Sequence, residues 1–155
     1  MNLLRIYVDT SVLGGCFDSE FAIWSEALMR DFRAKRLQPV LSDVTAAEIA
    51  LAPEPVRRLH EEMIPLCGGV LPVTAEVLEL VAAYGVRQIL SQRFAADMTH
   101  IALVTVAKVD AVVSWNFKHI VRLEKIRLFN EVNVELGYRV LSILSPREVT
   151  TYEGR

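Results

Sequence analysis

Cysteine is scarce in this chain. Of its 155 residues only Cys16 and Cys67 carry a thiol, and they stand far apart, without Cys-x-x-Cys spacing or a metal-motif neighbourhood. We read them as two reduced, partly buried thiols. An excess of positive charge is also missing: the net charge is −2, which excludes a protein that coats nucleic acid by bulk charge. Any basic surface has to be local. No stretch reaches 18 uninterrupted apolar residues, so no membrane span is expected. The opening Met1-Asn2-Leu3-Leu4-Arg5-Ile6-Tyr7-Val8-Asp9 is too short and too soon charged for a signal peptide, which leaves the cytoplasm as the expected location. Gly14-Gly15 lacks the surrounding pattern of a phosphate-binding loop, since neither GxGxxG nor GxxxxGK[ST] spacing is present. Repeats, low-complexity tracts and long linkers are absent too, and residues 1–155 read as a single domain.

What is present is a globular composition, with 52% hydrophobic and 23% charged residues, enough for a real core. Leu4, Ile6 and Val8 alternate with Arg5 and Tyr7 in a strand that stops at Asp9. Asp18 or Ser19 can cap a helix that carries Phe21, Trp24, Leu28 and Phe32 at helical spacing. Pro39-Val40-Leu41 is a second strand, and Asp43 is the expected N-cap of a helix with Glu48 on it. Pro53-Glu54-Pro55 separates that helix from one over 56–64. A third strand over 70–73 leads to a helix capped by Thr74, with Gly85 near its end. A strongly apolar helix runs from Phe94 to about Lys108. It is followed by a strand over 111–114, a charged helix over 121–136 ended by Gly137, and a last strand over 140–144. Ser145 and Glu148 have capping-box spacing for a short final helix. Strands alternating with helices predict a three-layer α/β/α domain around a mostly parallel sheet of about five strands.

In such sheets, ligands bind beyond the carboxyl ends of the strands. Asp9 ends the first strand there, and Ser114-Trp115-Asn116 follows the fourth. Glu48 and Asp97 stand among apolar residues on predicted helices, where a carboxylate needs a partner. Carboxylates that converge from separate elements repel one another and are tolerated when a divalent cation neutralises them. Mg²⁺ and Mn²⁺ prefer oxygen ligands. Such an ion activates a bound water and stabilises charge on a phosphodiester under attack. His100 lies three residues after Asp97, on roughly the same face. A satisfied structural histidine is the simpler reading, with a contact to substrate as the alternative. His60 has no evident partner and reads as a surface residue. Lys118, His119, Arg122, Lys125 and Arg127 form the densest basic stretch, either a solvated helix face or a rim that positions phosphates. Trp115 either packs beside the strand end or stacks on a base.

The order of these acids resembles one family. Tyr7-Val8-Asp9-Thr10-Ser11-Val12-Leu13 looks like the opening motif of PIN domains. The Glu48 segment resembles the region of the second acid, and Ala96-Asp97-Met98-Thr99-His100-Ile101-Ala102 that of the third. Val112-Val113-Ser114-Trp115-Asn116-Phe117 is similar to the fourth, where a Ser or Thr precedes an acid by two residues. The correspondence runs over essentially the whole chain. It implies an endoribonuclease dependent on Mg²⁺ or Mn²⁺, of the kind that serves as the VapC-type toxin of a toxin–antitoxin pair. It also implies an RNA substrate, a cognate antitoxin and a homodimer. Asp9, Glu48, Asp97 and Asn116 would then hold metal, the three acids being catalytic. Ser11 and Ser114 would support them, and His100, Trp115, Lys118 and His119 would be candidate substrate contacts. Asn116 departs from the usual acid. It brings no charge, so a second metal would bind more weakly, and a PIN-fold RNA-binding or protein-interaction module with little hydrolysis is the alternative.

Overall fold

Side chains of the first strand point alternately to two separate cores. Ile6 and Val8 join one buried cluster and Tyr7 the other, as the two-residue period of a strand requires. The fourth strand divides in the same way, Ala111 and Val113 to one side and Val112 to the other. A sheet buried on both faces with helices over each is therefore written into these short runs. The computed structural model describes residues 3–153. Met1 and Asn2, part of the stretch weighed against a signal peptide, lie outside the described residues, as do the last two positions of the 1–155 domain.

The strands are β1 (Arg5–Val8), β2 (Gln38–Ser42), β3 (Val70–Leu71), β4 (Ala111–Val113) and β5 (Ser142–Leu144). They form a five-stranded sheet in the order β3-β2-β1-β4-β5. Every pairing is parallel, with Tyr7 level with both Val40 and Val112. The helices are α1 (Thr10–Gly15), α2 (Ala22–Arg33), α3 (Asp43–Ile49), α4 (Glu54–Met63), α5 (Ala75–Val86), α6 (Ala95–Ala107), α7 (Leu123–Glu135) and α8 (Pro146–Val149). Residues of α1 to α4 pack with Ile6, Val8 and Val113, and residues of α5 to α7 with Tyr7 and Val112. The α/β/α expectation thus holds, and the sheet is wholly parallel. From central β1 the chain winds outward through β2 and β3, then returns to β4 and β5. The order therefore reverses between β1 and β4, the place where open α/β sheets put their ligands. Among the described residues no helix is long and apolar enough to cross a membrane.

Several local expectations change. Helix α1 begins directly after Asp9 and takes in Gly14 and Gly15, so the glycine pair belongs to a helix. Ser42, rather than Asp43, caps α3: its Oγ accepts the Thr45 N–H at 3.2 Å. Helix α2 starts after Phe21 without a side-chain cap, so neither Asp18 nor Ser19 serves. Gly85 does lie near the end of α5, one residue before its last. Thr74 does cap α5, and Ser145 and Glu148 do form the capping box. His60 is a correction: it is buried, and its Nε2 has no hydrogen-bond partner among the described residues. Burial holds its pKa below the ordinary value, the Glu61 charge opposing. Both cysteines are free and buried. Burial pushes the Cys16 thiol up to about 12, which makes it a poor nucleophile.

The final turn is strapped to α2 through Asp31, which is almost wholly buried. Its carboxylate accepts the Thr150 hydroxyl at 2.8 Å, the Thr151 N–H at 2.9 Å and the Thr151 hydroxyl at 2.5 Å. Arg36 adds an ion pair at 3.3 Å. Burial alone would raise the pKa of Asp31, but these donors outweigh it and the pKa is lowered. A depressed folded pKa stabilises the fold above the unfolded value of about 3.9, and that stabilisation is lost as pH falls through the folded value. Asp31→Asn is expected to cost about 2 kcal/mol at neutral pH and to flatten the acid limb of a Tm–pH curve. An acid limb as steep as that of the wild type would reject this assignment.

Candidate functional site

Asp9 is the first polar residue past β1, and its own N–H bonds the Val113 carbonyl at 3.2 Å, which ties it to the end of β4. It caps α1, with Oδ1 accepting the Ser11 N–H at 2.5 Å. Its Oδ2 accepts the Ser114 hydroxyl at 2.6 Å. Ser114 Oγ in turn accepts the Asn116 N–H, and Ser11 Oγ accepts the Trp115 N–H, both at 2.9 Å. The two serines therefore lace the β1 and β4 ends together around a carboxylate that is only 5% exposed.

Glu48 sits in the last turn of α3. The helix end itself does not steady the carboxylate, because the dipole there favours positive charge. Side chains supply the donors instead. Its Oε1 accepts the Thr10 hydroxyl at 2.8 Å and the His100 Nε2–H at 2.7 Å. Burial pulls the Glu48 pKa upward, but the hydrogen bond and charge of His100, with Thr10, carry it below the usual carboxylate range.

Asp97 occupies the first turn of α6, where the dipole does favour an anion. Its Oδ2 lies 3.2 Å from His119 Nδ1 and 3.4 Å from Asn116 Nδ2. Its pKa is raised, first by burial and then by the negative charge of Asp9, with His119 opposing. Repulsion between two carboxylates of this kind marks a site that lacks positive charge. Asp9, Glu48 and Asp97 all act on His100 as well. Burial would lower the pKa of its ring, and the Glu48 hydrogen bond together with the three acids raises it.

Asn116 behaves differently from a fourth acid. Its Oδ1 accepts the N–H groups of Lys118 at 3.2 Å and His119 at 2.9 Å. Those two donors fix which end of the amide is oxygen and turn the nitrogen toward Asp97. In this arrangement Asn116 is a donor to Asp97, with its oxygen already engaged.

Two of the candidate substrate contacts are buried, in keeping with the packing reading of each. Trp115 is 6% exposed. It stacks on Phe21 at 4.3 Å, and its Nε1–H donates to Ser25 Oγ at 2.8 Å, so it packs beside the strand end. His100 is 2% exposed and lies between Tyr7 and Glu48; it is a buried partner of an acid. His119 is partly buried against the Phe94 ring at 3.9 Å, and Lys118 is exposed. The basic stretch is partly structural, since Lys125 Nζ donates to the Ile89 carbonyl and Arg122 faces Glu124. Phe117, which sequence reasoning did not single out, is half exposed and in T-shaped contact with the Trp115 ring. The turn around Asn116 exchanges inside and outside there, so the Phe that follows the buried Trp faces water.

The donor set can be tested against a hard divalent cation. Among the described residues no group of three or more His, Cys, Asp or Glu side chains is drawn together as a formed metal-holding cluster. The chemistry of the set nevertheless fits. Three carboxylates share one sheet edge with little positive charge between them, and neither Glu48 Oε2 nor Asp97 Oδ1 has a hydrogen-bond partner among the described residues. These oxygens are the ones left to ligate. An open groove of about 610 Å³ lies elsewhere, along α7 and Val140, and carries none of the three acids.

No protein-family model and no curated protein matches the sequence. Solved structures do match in fold. A chain of the FitAcB crystal structure from Neisseria gonorrhoeae is 17% identical, with a TM-score of 0.59 over 93% of this chain and 99% of that one. A chain of FitAB bound to an IR36 DNA fragment is 19% identical, with a TM-score of 0.55 over 96% of this chain and 99% of that one. The fold is the PIN-like one that the sequence resemblance implied.

Proposed function

We propose that this chain is an endoribonuclease dependent on Mg²⁺ or Mn²⁺, acting as the toxin of a toxin–antitoxin pair. The observation that carries the reading is the gathering of Asp9, Glu48 and Asp97 at the carboxyl end of β1 and β4, with Glu48 bonded to Thr10 and Asp97 beside Asn116; a divalent cation would offset the negative charge of Asp9 that raises the Asp97 pKa. Asp9, Glu48 and Asp97 would hold the ion, whose chemistry is to activate water and neutralise charge on the scissile phosphate. Ser114 and Ser11 fix the Asp9 carboxylate and its cap, and Thr10 and His100 fix Glu48. Phe117 and Lys118, both exposed beside Asn116, offer a base-stacking ring and a phosphate contact. The likeness to chains of the FitAB structures supports a protein partner for this chain too, an antitoxin, and the family resemblance supports a homodimer.

The orientation of Asn116 favours a second reading, a PIN-fold RNA-binding or interaction module with weak hydrolysis, because its oxygen is engaged and a second ion has one ligand fewer. One experiment separates the two. Single-stranded RNA is incubated with the protein in Mn²⁺, in Mg²⁺ and in excess chelator, beside Asp97→Asn. Cleavage that needs metal and falls about 100-fold or more in the variant is expected. RNA bound but uncut under every condition would favour the module.

A further inference from the structure

A buried polar chain runs beneath the three acids. The carboxylate of Glu48 can only accept, so His100 Nε2 carries the proton in that 2.7 Å bond. Nδ1 lies 2.5 Å from the Tyr7 oxygen, accepting the Tyr7 hydroxyl in the neutral ring and donating to that oxygen in the charged one. The same Tyr7 oxygen lies 2.7 Å from Ser42 Oγ and 3.3 Å from Thr45 Oγ1. Tyr7, His100, Ser42 and Thr45 are all buried.

The positions of these residues matter as much as their bonds. Tyr7 is on β1, two residues before Asp9. His100 is on α6, one helical turn after Asp97. Ser42 caps α3 and Thr45 lies on it, one turn before Glu48. Each element that carries an acid therefore sends one or more polar side chains to a common point below the cleft. A buried polar network seldom stabilises a core more than apolar packing of the same volume would. What it adds is a fixed geometry, and here that geometry relates three carboxylates whose mutual charge would otherwise spread them.

We propose that Tyr7, His100, Ser42 and Thr45 form a brace that sets Glu48 at its place relative to Asp9 and Asp97, with His100 as the positioning residue for Glu48. The inference rests on the metal-dependent reading above for its purpose, and on the hydrogen-bond geometry alone for its existence.

The test uses the full chain, with Tyr7→Phe, His100→Leu and His100→Gln, each checked for folding by its Tm. Tyr7→Phe keeps the ring and removes only the hydroxyl. His100→Gln keeps a donor near the Nε2 position. Two readouts are taken: the Glu48 side-chain carboxyl ¹³C resonance in metal-free protein, and Mn²⁺ affinity by calorimetry. His100→Leu is expected to displace the resonance and to weaken Mn²⁺ binding by about 10- to 100-fold, the usual cost of losing an outer partner of a metal ligand. His100→Gln should recover most of that loss. Tyr7→Phe should displace the resonance, and adding it to His100→Leu should cost little more, because the two belong to one chain. Folded Tyr7→Phe and His100→Leu proteins with an unmoved resonance and wild-type Mn²⁺ affinity would overturn the brace. If wild type neither binds Mn²⁺ nor cuts RNA while both variants still displace the resonance, the brace stands and the nuclease reading falls.

Discussion

Asp9→Asn is expected to abolish metal-dependent RNA cleavage, by about 100-fold or more, while leaving the fold intact. The two halves of that expectation have different causes. Asn is as good an N-cap as Asp, so the bond from the Ser11 N–H that starts α1 has an acceptor in either protein. The Ser114 hydroxyl, now a donor to Oδ2, can rotate to accept from the new amide. What disappears is one negative charge at the β1–β4 edge. An ion held there loses a charged ligand, which costs more than the loss of an outer partner. The neighbours report the same change: the Asp97 carboxyl is held up partly by Asp9, so its pKa should fall in the variant when followed by ¹³C NMR. A folded Asp9→Asn protein that cuts RNA at the wild-type rate would sink the site assignment.

The largest stability loss is expected at Gly15. An added Cβ there would stand 2.6 Å from Ser25 Oγ and 2.8 Å from Trp115 Nε1. Neither neighbour can yield cheaply. Both are buried, and they are hydrogen-bonded to each other. Gly15→Ala should therefore cost about 3 kcal/mol, combining overpacking with loss of the Trp115–Ser25 bond. Because the Trp115 N–H also bonds Ser11 Oγ, the clash reaches the acid edge. Chemical denaturation measures it, and a loss under about 0.5 kcal/mol would mean that the helix shifts freely. Gly14 is a built-in control, since nothing lies near its added Cβ.

These residues also show what a sequence discloses and what it withholds. The sheet was legible because β1 and β4 alternate between two cores over very few residues, and period-two alternation needs no long-range knowledge. Asp9 was legible because it stops an apolar strand, and Asp97 because it opens an apolar helix. Helix α1 was not, since six residues with a Gly-Gly pair carry no helical period; it forms because Asp9 caps it and Val12 and Leu13 are buried. Glu48 was found, but its place in the last turn of α3 was not. Its donors come from Thr10 and His100, far off in the chain, and no local pattern announces them. His60 was misjudged, and Trp115 was left open between packing and stacking, for one reason: burial of an amphipathic side chain depends on what arrives from elsewhere. For Trp115 the arrivals are Phe21 and Ser25.

The central place of β1 has a consequence for how the protein comes into being. Asp9 leaves the ribosome well before its hydroxyl partner Ser114, which lies 105 residues downstream. Strand β1 must also wait for β4, since Tyr7 pairs with Val112. Parallel pairings between such distant segments close slowly. The acid edge is therefore completed only after β4 and Ser114 have been synthesised. A ribosome paused before β4 would carry a nascent chain without the Ser114 and Asn116 contacts of the site. On the proposed ribonuclease reading, the chain would stay silent, by its topology alone, until β4 has been made.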